Sequence, residues 1–165
     1  MAHFKTLLKH VKAFVFDVDG VMSTAQVYLH PSGDMMRSMN VKDGYSIQRA
    51  VKAGFPIAII SGAASDSIRI RFETIGVTEI FLKITDKLPV FEAFCKKYAL
   101  DPSEVMYMGD DIPDLEVMQK VGLPVCPADA APEIKACSSY ISFQAGGHGC
   151  VRDVVEQVMK AQEKW

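Results

Sequence analysis

Four short apolar runs, Ala13–Phe16, residues 56–60, Val105–Met108 and Leu123–Cys126, punctuate the chain, with longer mixed stretches between them. Runs of this length, rich in Val, Ile, Phe and Met, suit strands covered on both faces, the situation of a parallel sheet. The stretches between them carry helical spacing. In 43–53 the residues Ile47, Ala50 and Val51 recur at i, i+3 and i+4, and 65–75 opens with Ser and Asp before ending at Gly76. Val90, Phe91 and Phe94 share one side of 86–98, and Val151, Val154, Val155, Val158 and Met159 form an apolar stripe near the end. Strands alternating with helices predict a doubly wound parallel α/β sheet with right-handed crossovers. Residues 21–40 break the rhythm. They alternate irregularly around Pro31-Ser32-Gly33-Asp34, a turn sequence, and predict a β-hairpin inserted after the first strand. No repeat, low-complexity tract or linker interrupts the 165 residues, so one domain is expected over 1–165.

Charge narrows the function classes. A formal net charge of -2, from 18 Lys and Arg against 20 Asp and Glu, gives no electrostatic ground for a nucleic-acid or membrane partner. The strongly apolar runs are far too short to span a bilayer. Residues 1–11 lack the apolar region and cleavage site of a signal peptide, so a cytoplasmic location is expected. The four cysteines, Cys95, Cys126, Cys137 and Cys150, are widely spaced without a C-x-x-C pair, and free thiols in a reducing compartment are expected.

In an open parallel sheet ligands bind at the carboxyl ends of the strands. Polar residues gather there in this chain. The first apolar run leads into Asp17-Val18-Asp19-Gly20, the second into Ser61-Gly62, and the third into Gly109-Asp110-Asp111 and on to Asp114; Asp86-Lys87 follows the short run 80–82. Taken singly, each piece has a plain structural reading: a turn-forming or capping Asp, a Ser-Gly turn, a solvated Lys. Taken in order they are the parts of phosphoryl transfer. A carboxylate nucleophile such as Asp17 divides one hard step into two through an aspartyl-phosphate. Asp19, two residues on and facing the same side, is placed to serve as acid and base. Mg²⁺ favours a few carboxylate oxygens, carbonyls and waters, which Asp17, the backbone of Asp19 and Asp110 supply. Ser61 and Lys87 are suited to donate to phosphoryl oxygens as charge spreads in the transition state.

These residues resemble the four motifs of the haloacid dehalogenase superfamily: D-V-D-G at 17–20, S-G at 61–62, Lys87, and G-D-D-I-P-D at 109–114. The resemblance covers essentially the whole chain. It implies a Rossmann-like core, Asp17 as nucleophile, Asp19 as general acid and base, a magnesium ion held by Asp17, the Asp19 carbonyl and Asp110, and Asp111 and Asp114 orienting the metal shell. The segments after motifs I and II are too short for a cap domain. Within the superfamily the chain is similar to the capless phosphatases of 3-deoxy-D-manno-octulosonate 8-phosphate, on the strength of Asn40-Val41-Lys42-Asp43-Gly44-Tyr45, of Arg71, and of the tail Gly146-Gly147-His148-Gly149-Cys150-Val151-Arg152-Asp153. That likeness implies a small sugar acid phosphate as substrate, with Asn40, Val41, Lys42, Asp43, Gly44, Arg71, Lys87 and Asp19 among its contacts. It further implies a homotetramer built through the hairpins, in which the Gly-rich tail loop 144–153, with Gly146, Gly147 and His148, reaches toward a neighbouring active site. Arg71 is suited to a two-pronged pair with a carboxylate.

Two positions depart from the pattern. The family commonly carries Arg where Ala63 and Gln48 stand here, whereas phosphatases of 2-keto-3-deoxynononate 9-phosphate tend to have Glu at the position of Ala63. Another sugar acid phosphate therefore remains an alternative substrate. A non-catalytic assembly module of the same fold would have lost catalytic carboxylates, all of which this chain keeps. A response-regulator receiver would place its phosphorylated Asp after a later strand.

Overall fold

The computed structural model describes residues 4–165. In chain order the elements are α1 (Phe4–Leu7), β1 (Ala13–Phe16), β2 (Tyr28–Leu29), β3 (Met35–Met36), α2 (Val41–Lys52), β4 (Ile57–Ile60), α3 (Asp66–Thr74) and β5 (Glu79–Phe81). They continue with α4 (Lys87–Lys97), β6 (Val105–Met108), α5 (Leu115–Met118), β7 (Leu123–Cys126), α6 (Pro132–Cys137), β8 (Tyr140–Ile141) and α7 (Cys150–Ala161). Six strands form one parallel sheet in the order β5-β4-β1-β6-β7-β8. The four apolar runs are its four central strands, and every residue of each is buried. This is the doubly wound α/β fold predicted from the alternation of runs. Among the described residues no segment builds a cap domain.

The sheet is sandwiched between two apolar layers. On one side Phe14, Phe16, Ile57 and Ile59 meet Ile47 and Ala50 of α2, Ile68 and Phe72 of α3, and Val151, Val154, Val155 and Val158 of α7. On the other, Val15, Ala58, Ile60 and Tyr107 meet Phe91 and Phe94 of α4, Val117 and Met118 of α5, and Ile134 of α6. Alternate residues of each strand therefore serve opposite cores. Burial of the larger side chains at these positions stabilises the fold by about 1.5–3 kcal/mol each. Strand order reverses at β1: β4 lies on one side and β6 on the other, which opens a crevice beyond the carboxyl end of β1.

Departures from expectation concern small elements. The hairpin predicted over 21–40 is confined to the two-residue strands β2 and β3, whose side chains are exposed. The residues before it form a tight loop in which the Val18 carbonyl accepts from the N–H groups of Val21, Met22 and Ser23. The edge strand β8 and the helices α5 and α6 were not foreseen, because two to six residues are too few for a hydrophobic period to register.

The pairing of α2 with α7 carries an unexpected polar group. Asp43, which the family likeness places against substrate, is only 2% exposed, and its Oδ1 accepts from the Arg152 N–H at 2.7 Å. The N-cap position of α7 is Gly149, which offers no side-chain oxygen, so Asp43 caps α7 from the neighbouring helix. Its Oδ2 has no hydrogen-bond partner. Burial pushes the Asp43 carboxyl up from 3.8 to about 6, against the lowering influence of the Arg152 and Gly149 N–H groups. Between those two values the folded chain holds a proton that the unfolded chain releases, so this group's contribution to stability falls as pH rises through the window and stays lost above it. Asp43→Asn keeps the acceptor and removes the titration. The stability difference between variant and wild type should therefore shift in the variant's favour as pH is raised from about 4 to about 7. A difference that stays constant in parallel urea titrations would contradict this.

Candidate active site

Asp17 sits at the carboxyl end of β1, where its N–H continues the ladder to the Met108 carbonyl at 3.1 Å. Its Oδ1 accepts from the Val18 N–H at 2.6 Å and its Oδ2 faces the Lys87 ammonium at 2.9 Å. Lys87 is the first residue of α4, behind an Asp86 cap that accepts from the Leu88 N–H. The crossover from β5 thus delivers the ammonium beneath the end of β1, and only 4% of Lys87 remains exposed. Its second partner is Asp114 Oδ1, at 2.7 Å. Tyr107, buried in β6, donates its hydroxyl to the same oxygen at 2.7 Å, and Asp114 Oδ2 accepts from the Asp110 N–H at 3.1 Å.

Carboxylate oxygens of Asp17, Asp110 and Asp114 lie within 4.8 Å of one another. Asp114 was expected to orient a metal rather than bind it; both of its oxygens are engaged by Lys87, Tyr107 and the Asp110 backbone. Asp110 is different, since its carboxylate accepts no hydrogen bond from a described residue. Asp111, expected beside Asp114 in the metal shell, lines the cleft, and its N–H donates to Asp114 Oδ2 at 3.5 Å. Its side chain is turned to the Ile112 N–H at 2.8 Å and caps the short helical turn Ile112–Asp114, because a helix start needs an acceptor there.

Three acidic groups and one ammonium leave a net negative site, and the titration of the acids reflects it. Burial and the Asp114 charge raise Asp17 to about 6 despite Lys87, and burial with the charges of Asp17 and Asp114 raises Asp110 to about 8. Burial opposes charge on Lys87, yet the Asp17 and Asp114 carboxylates hold its ammonium above the ordinary value. A donor set made only of carboxylate and carbonyl oxygens, short of positive charge, fits a hard divalent cation such as Mg²⁺ better than Zn²⁺. Gly20 shows how closely the loop approaches these donors. Its φ is +78°, and a Cβ there would fall 1.9 Å from Asp110 Oδ2, so only glycine is accommodated.

Asp17, Lys87 and Asp110 line a cleft of about 500 Å³ with Asp19, Ser61, Gly62, Ala63, Thr85 and Asp111. Ser61 is buried below its rim, with its Oγ accepting from the Ala63 N–H at 3.2 Å. Asp19 is gripped by a residue that the motif reading missed. Arg37, just beyond β3, donates from Nε to Oδ1 at 2.5 Å and from Nη2 to Oδ2 at 2.9 Å. Tyr107 was missed as well. Its place two positions before Gly109-Asp110, inside an otherwise apolar run, was the one sequence signal for it, whereas Arg37 had none beyond being the hairpin's arginine.

Of the residues expected to touch a sugar acid, Asp19 and Lys87 line this cleft, whereas the segment 40–44, Arg71 and the tail residues 146–148 do not. Asn40 caps α2, accepting from the Lys42 N–H at 2.8 Å, and donates to the Gly147 carbonyl at 3.4 Å. Val41 and Lys42 are exposed, and Asp43 caps α7 as described. The Arg71 guanidinium rests where a side chain on Gly44 would be and forms no ion pair with a described residue. Gly146 and Gly147 lie against the loop after β1. The Gly147 N–H donates to the Val21 carbonyl at 2.9 Å, the Gly146 N–H to Asp129 Oδ1 at 2.9 Å, and a Cβ on Gly146 would fall 2.0 Å from the Gly20 carbonyl oxygen. His148 turns its Nδ1 to the Gly146 carbonyl at 2.8 Å. Within this chain the tail therefore buttresses the Asp19 loop from behind.

Comparison with known proteins agrees with the geometry. Residues 57–151 match the haloacid dehalogenase-like hydrolases. The chain is 36% identical over 162 residues to the 3-deoxy-D-manno-octulosonate 8-phosphate phosphatase KdsC of Salmonella typhi, covering 98% of this chain and 86% of that protein. Its fold superimposes on the Yersinia pestis 3-deoxy-D-manno-octulosonate 8-phosphate phosphatase with a TM-score of 0.95 at 32% identity, covering 99% and 88% of the two chains. It superimposes equally on the Moraxella catarrhalis enzyme, crystallised with a magnesium ion, a phosphate ion and a KDO molecule, with a TM-score of 0.94 at 32% identity over 99% and 94%. With its sheet, its carboxylates and its relatives in agreement, the chain belongs to the haloacid dehalogenase-like hydrolases and, among them, to the 3-deoxy-D-manno-octulosonate 8-phosphate phosphatase family.

Proposed function

We propose that the chain hydrolyses the phosphomonoester of 3-deoxy-D-manno-octulosonate 8-phosphate to the free sugar acid and phosphate, by way of a phosphorylated Asp17. The observation that carries this is the placement of Asp17 beside Lys87, with the acidic partners Asp110 and Asp114, at the mouth of a cleft that also holds Asp19. Asp17 attacks phosphorus from the cleft lining, where its carboxylate keeps some exposure. Lys87 and Ser61 donate to the phosphoryl oxygens as negative charge moves onto them. Asp19 gives a proton to the departing sugar oxygen and then takes one from the water that releases Asp17. A bound Mg²⁺, held by Asp17, Asp110 and the Asp19 carbonyl, would neutralise charge between carboxylate and phosphate.

The reading extends to a cytoplasmic homotetramer, in which hairpins and tails of neighbouring copies complete the sugar site. The missing cap and the absence of the segment 40–44, Arg71 and the tail residues 146–148 from the cleft support it; sedimentation as a monomer at micromolar concentration would count against it. Among the described residues no helix is long and apolar enough to cross a membrane. Ala63, on the cleft wall where the family likeness leads one to expect an arginine, favours testing other sugar acid phosphates alongside the octulosonate.

Three measurements check the proposal. Phosphate release from a panel of sugar acid and hexose phosphates should be fastest with the octulosonate 8-phosphate and should vanish with chelator; comparable rates across the panel would remove the substrate assignment and leave the chemistry. Asp17→Asn should lower turnover by about 10³-fold or more with its melting temperature kept, because the amide is nearly isosteric but a poor nucleophile. The thermal stabilisation given by Mg²⁺ should grow as pH rises from about 6 to about 8, since cation and protons compete for Asp17 and Asp110, whose carboxyls are raised to about 6 and about 8. Asp110→Asn should erase that stabilisation, and a pH-independent shift would exclude these two groups as the ligands.

A further inference from the structure

The hairpin strands β2 and β3 present Tyr28, Leu29, Met35 and Met36 to solvent, yet the residue that follows them turns its side chain inward. The Arg37 side chain is only 5% exposed, and all three of its nitrogens are engaged: Nη1 with the Met35 carbonyl, Nε and Nη2 with the two oxygens of Asp19. Asp19 has one other side-chain partner, the Ser23 hydroxyl at 3.2 Å. Its carboxylate is otherwise open to the cleft and, unlike that of Asp17, takes no hydrogen bond from the backbone of its own loop. A two-pronged Arg–carboxylate pair fixes both the distance and the plane of the carboxyl group, which a hydroxyl alone does not.

We propose that Arg37 is the positioning residue for Asp19, so that the hairpin, in a chain without a cap, sets the direction in which the acid and base group faces the reacting oxygens. This rests on the phosphatase reading above. In the first half-reaction the P–O bond to Asp17 forms, the P–O bond to the sugar breaks, and the sugar oxygen takes a proton from Asp19. In the second, water bonds to phosphorus, gives its proton to Asp19, and Asp17 leaves as the carboxylate. An alkoxide leaving group needs that first proton, whereas p-nitrophenolate leaves without it. A misdirected Asp19 should therefore slow sugar phosphate turnover and the water step, but not the release of p-nitrophenol in the first turnover.

The experiment compares wild type, Arg37→Met and Arg37→Lys on the octulosonate 8-phosphate and, by stopped flow, on p-nitrophenyl phosphate. For Arg37→Met the sugar phosphate kcat should fall by about 10–100-fold with KM within about 2-fold, while the p-nitrophenol burst is kept and its steady state slows. Arg37→Lys, able to make one prong, should recover part of the loss with the same split between substrates. Wild-type kcat in either variant overturns the inference. So does an equal loss of burst and sugar phosphate turnover, or a raised KM at constant kcat, which would make Arg37 a substrate contact. If Arg37→Met melts early, the substrate split in Arg37→Lys decides. A wild type inactive on both compounds overturns the phosphatase reading, and this inference with it.

Discussion

The site depends on one buried ammonium. Lys87 lies between Asp17 and Asp114 at 2.9 and 2.7 Å with almost no access to water. An isolated charge in such a place is strongly disfavoured, and a pair is tolerated only when its remaining hydrogen-bonding capacity is met. The fold meets it from three directions. α4 delivers the lysine, β6 supplies the Tyr107 hydroxyl to Asp114, and the loop after β6 supplies the Asp110 N–H. Truncating Lys87 would leave the buried Asp114 charge without its cation, at a cost of about 3–5 kcal/mol. Even intact, the group remains short of positive charge, since three carboxylates face one ammonium. The raised titration of Asp17 and Asp110 is the direct consequence, and a divalent cation is the species that would remove it.

That charge arrangement is held in place by backbone rather than by bulk. The loop carrying Asp19 is pressed between the Asp110 carboxylate and the tail, with Gly20 facing Asp110 and Gly146 facing Gly20 from behind. Two successive close approaches of this kind transmit position efficiently, because neither can relax without a backbone shift. The tail is in turn fixed by Asp129, by Asn40 and by the capped start of α7. Asp43 therefore acts on the site at a distance: it anchors α7, α7 anchors the glycines, and the glycines support the loop.

Much of this was legible in the sequence. Runs buried on both faces have no competing reading once helices alternate with them, so the sheet and its carboxyl edge followed, and with them Asp17, Asp19, Ser61, Lys87 and Asp110. What was illegible had a common cause. Asp43 and Arg37 are polar residues whose partners are set by tertiary approach, 109 residues away in chain for the Asp43–Arg152 contact and 18 for Arg37–Asp19. Sequence spacing carries no information on such pairs. A carboxylate in a motif-rich stretch reads as functional whether it faces a ligand or, like Asp43 and Asp111, an unsatisfied helix terminus.

The division of labour that results bears on how a capless phosphatase selects its substrate. The charged groups lining the cleft are Lys87 and four carboxylates, Asp17, Asp19, Asp110 and Asp111, a set suited to a phosphoryl group and a metal ion. Arg71, which forms no ion pair with a described residue, lies over Gly44 outside that lining, and Ala63 adds no charge within it. One chain thus presents chemistry without a grip on a distant carboxylate. Uniform binding of phosphate alone would make such a site catalyse hydrolysis of many esters, because selectivity requires interactions realised with one substrate and not its competitors. On the proposed reading the missing grip comes from outside the cleft, and the hairpin that reaches Asp19 through Arg37 is the element through which its placement would reach the chemistry.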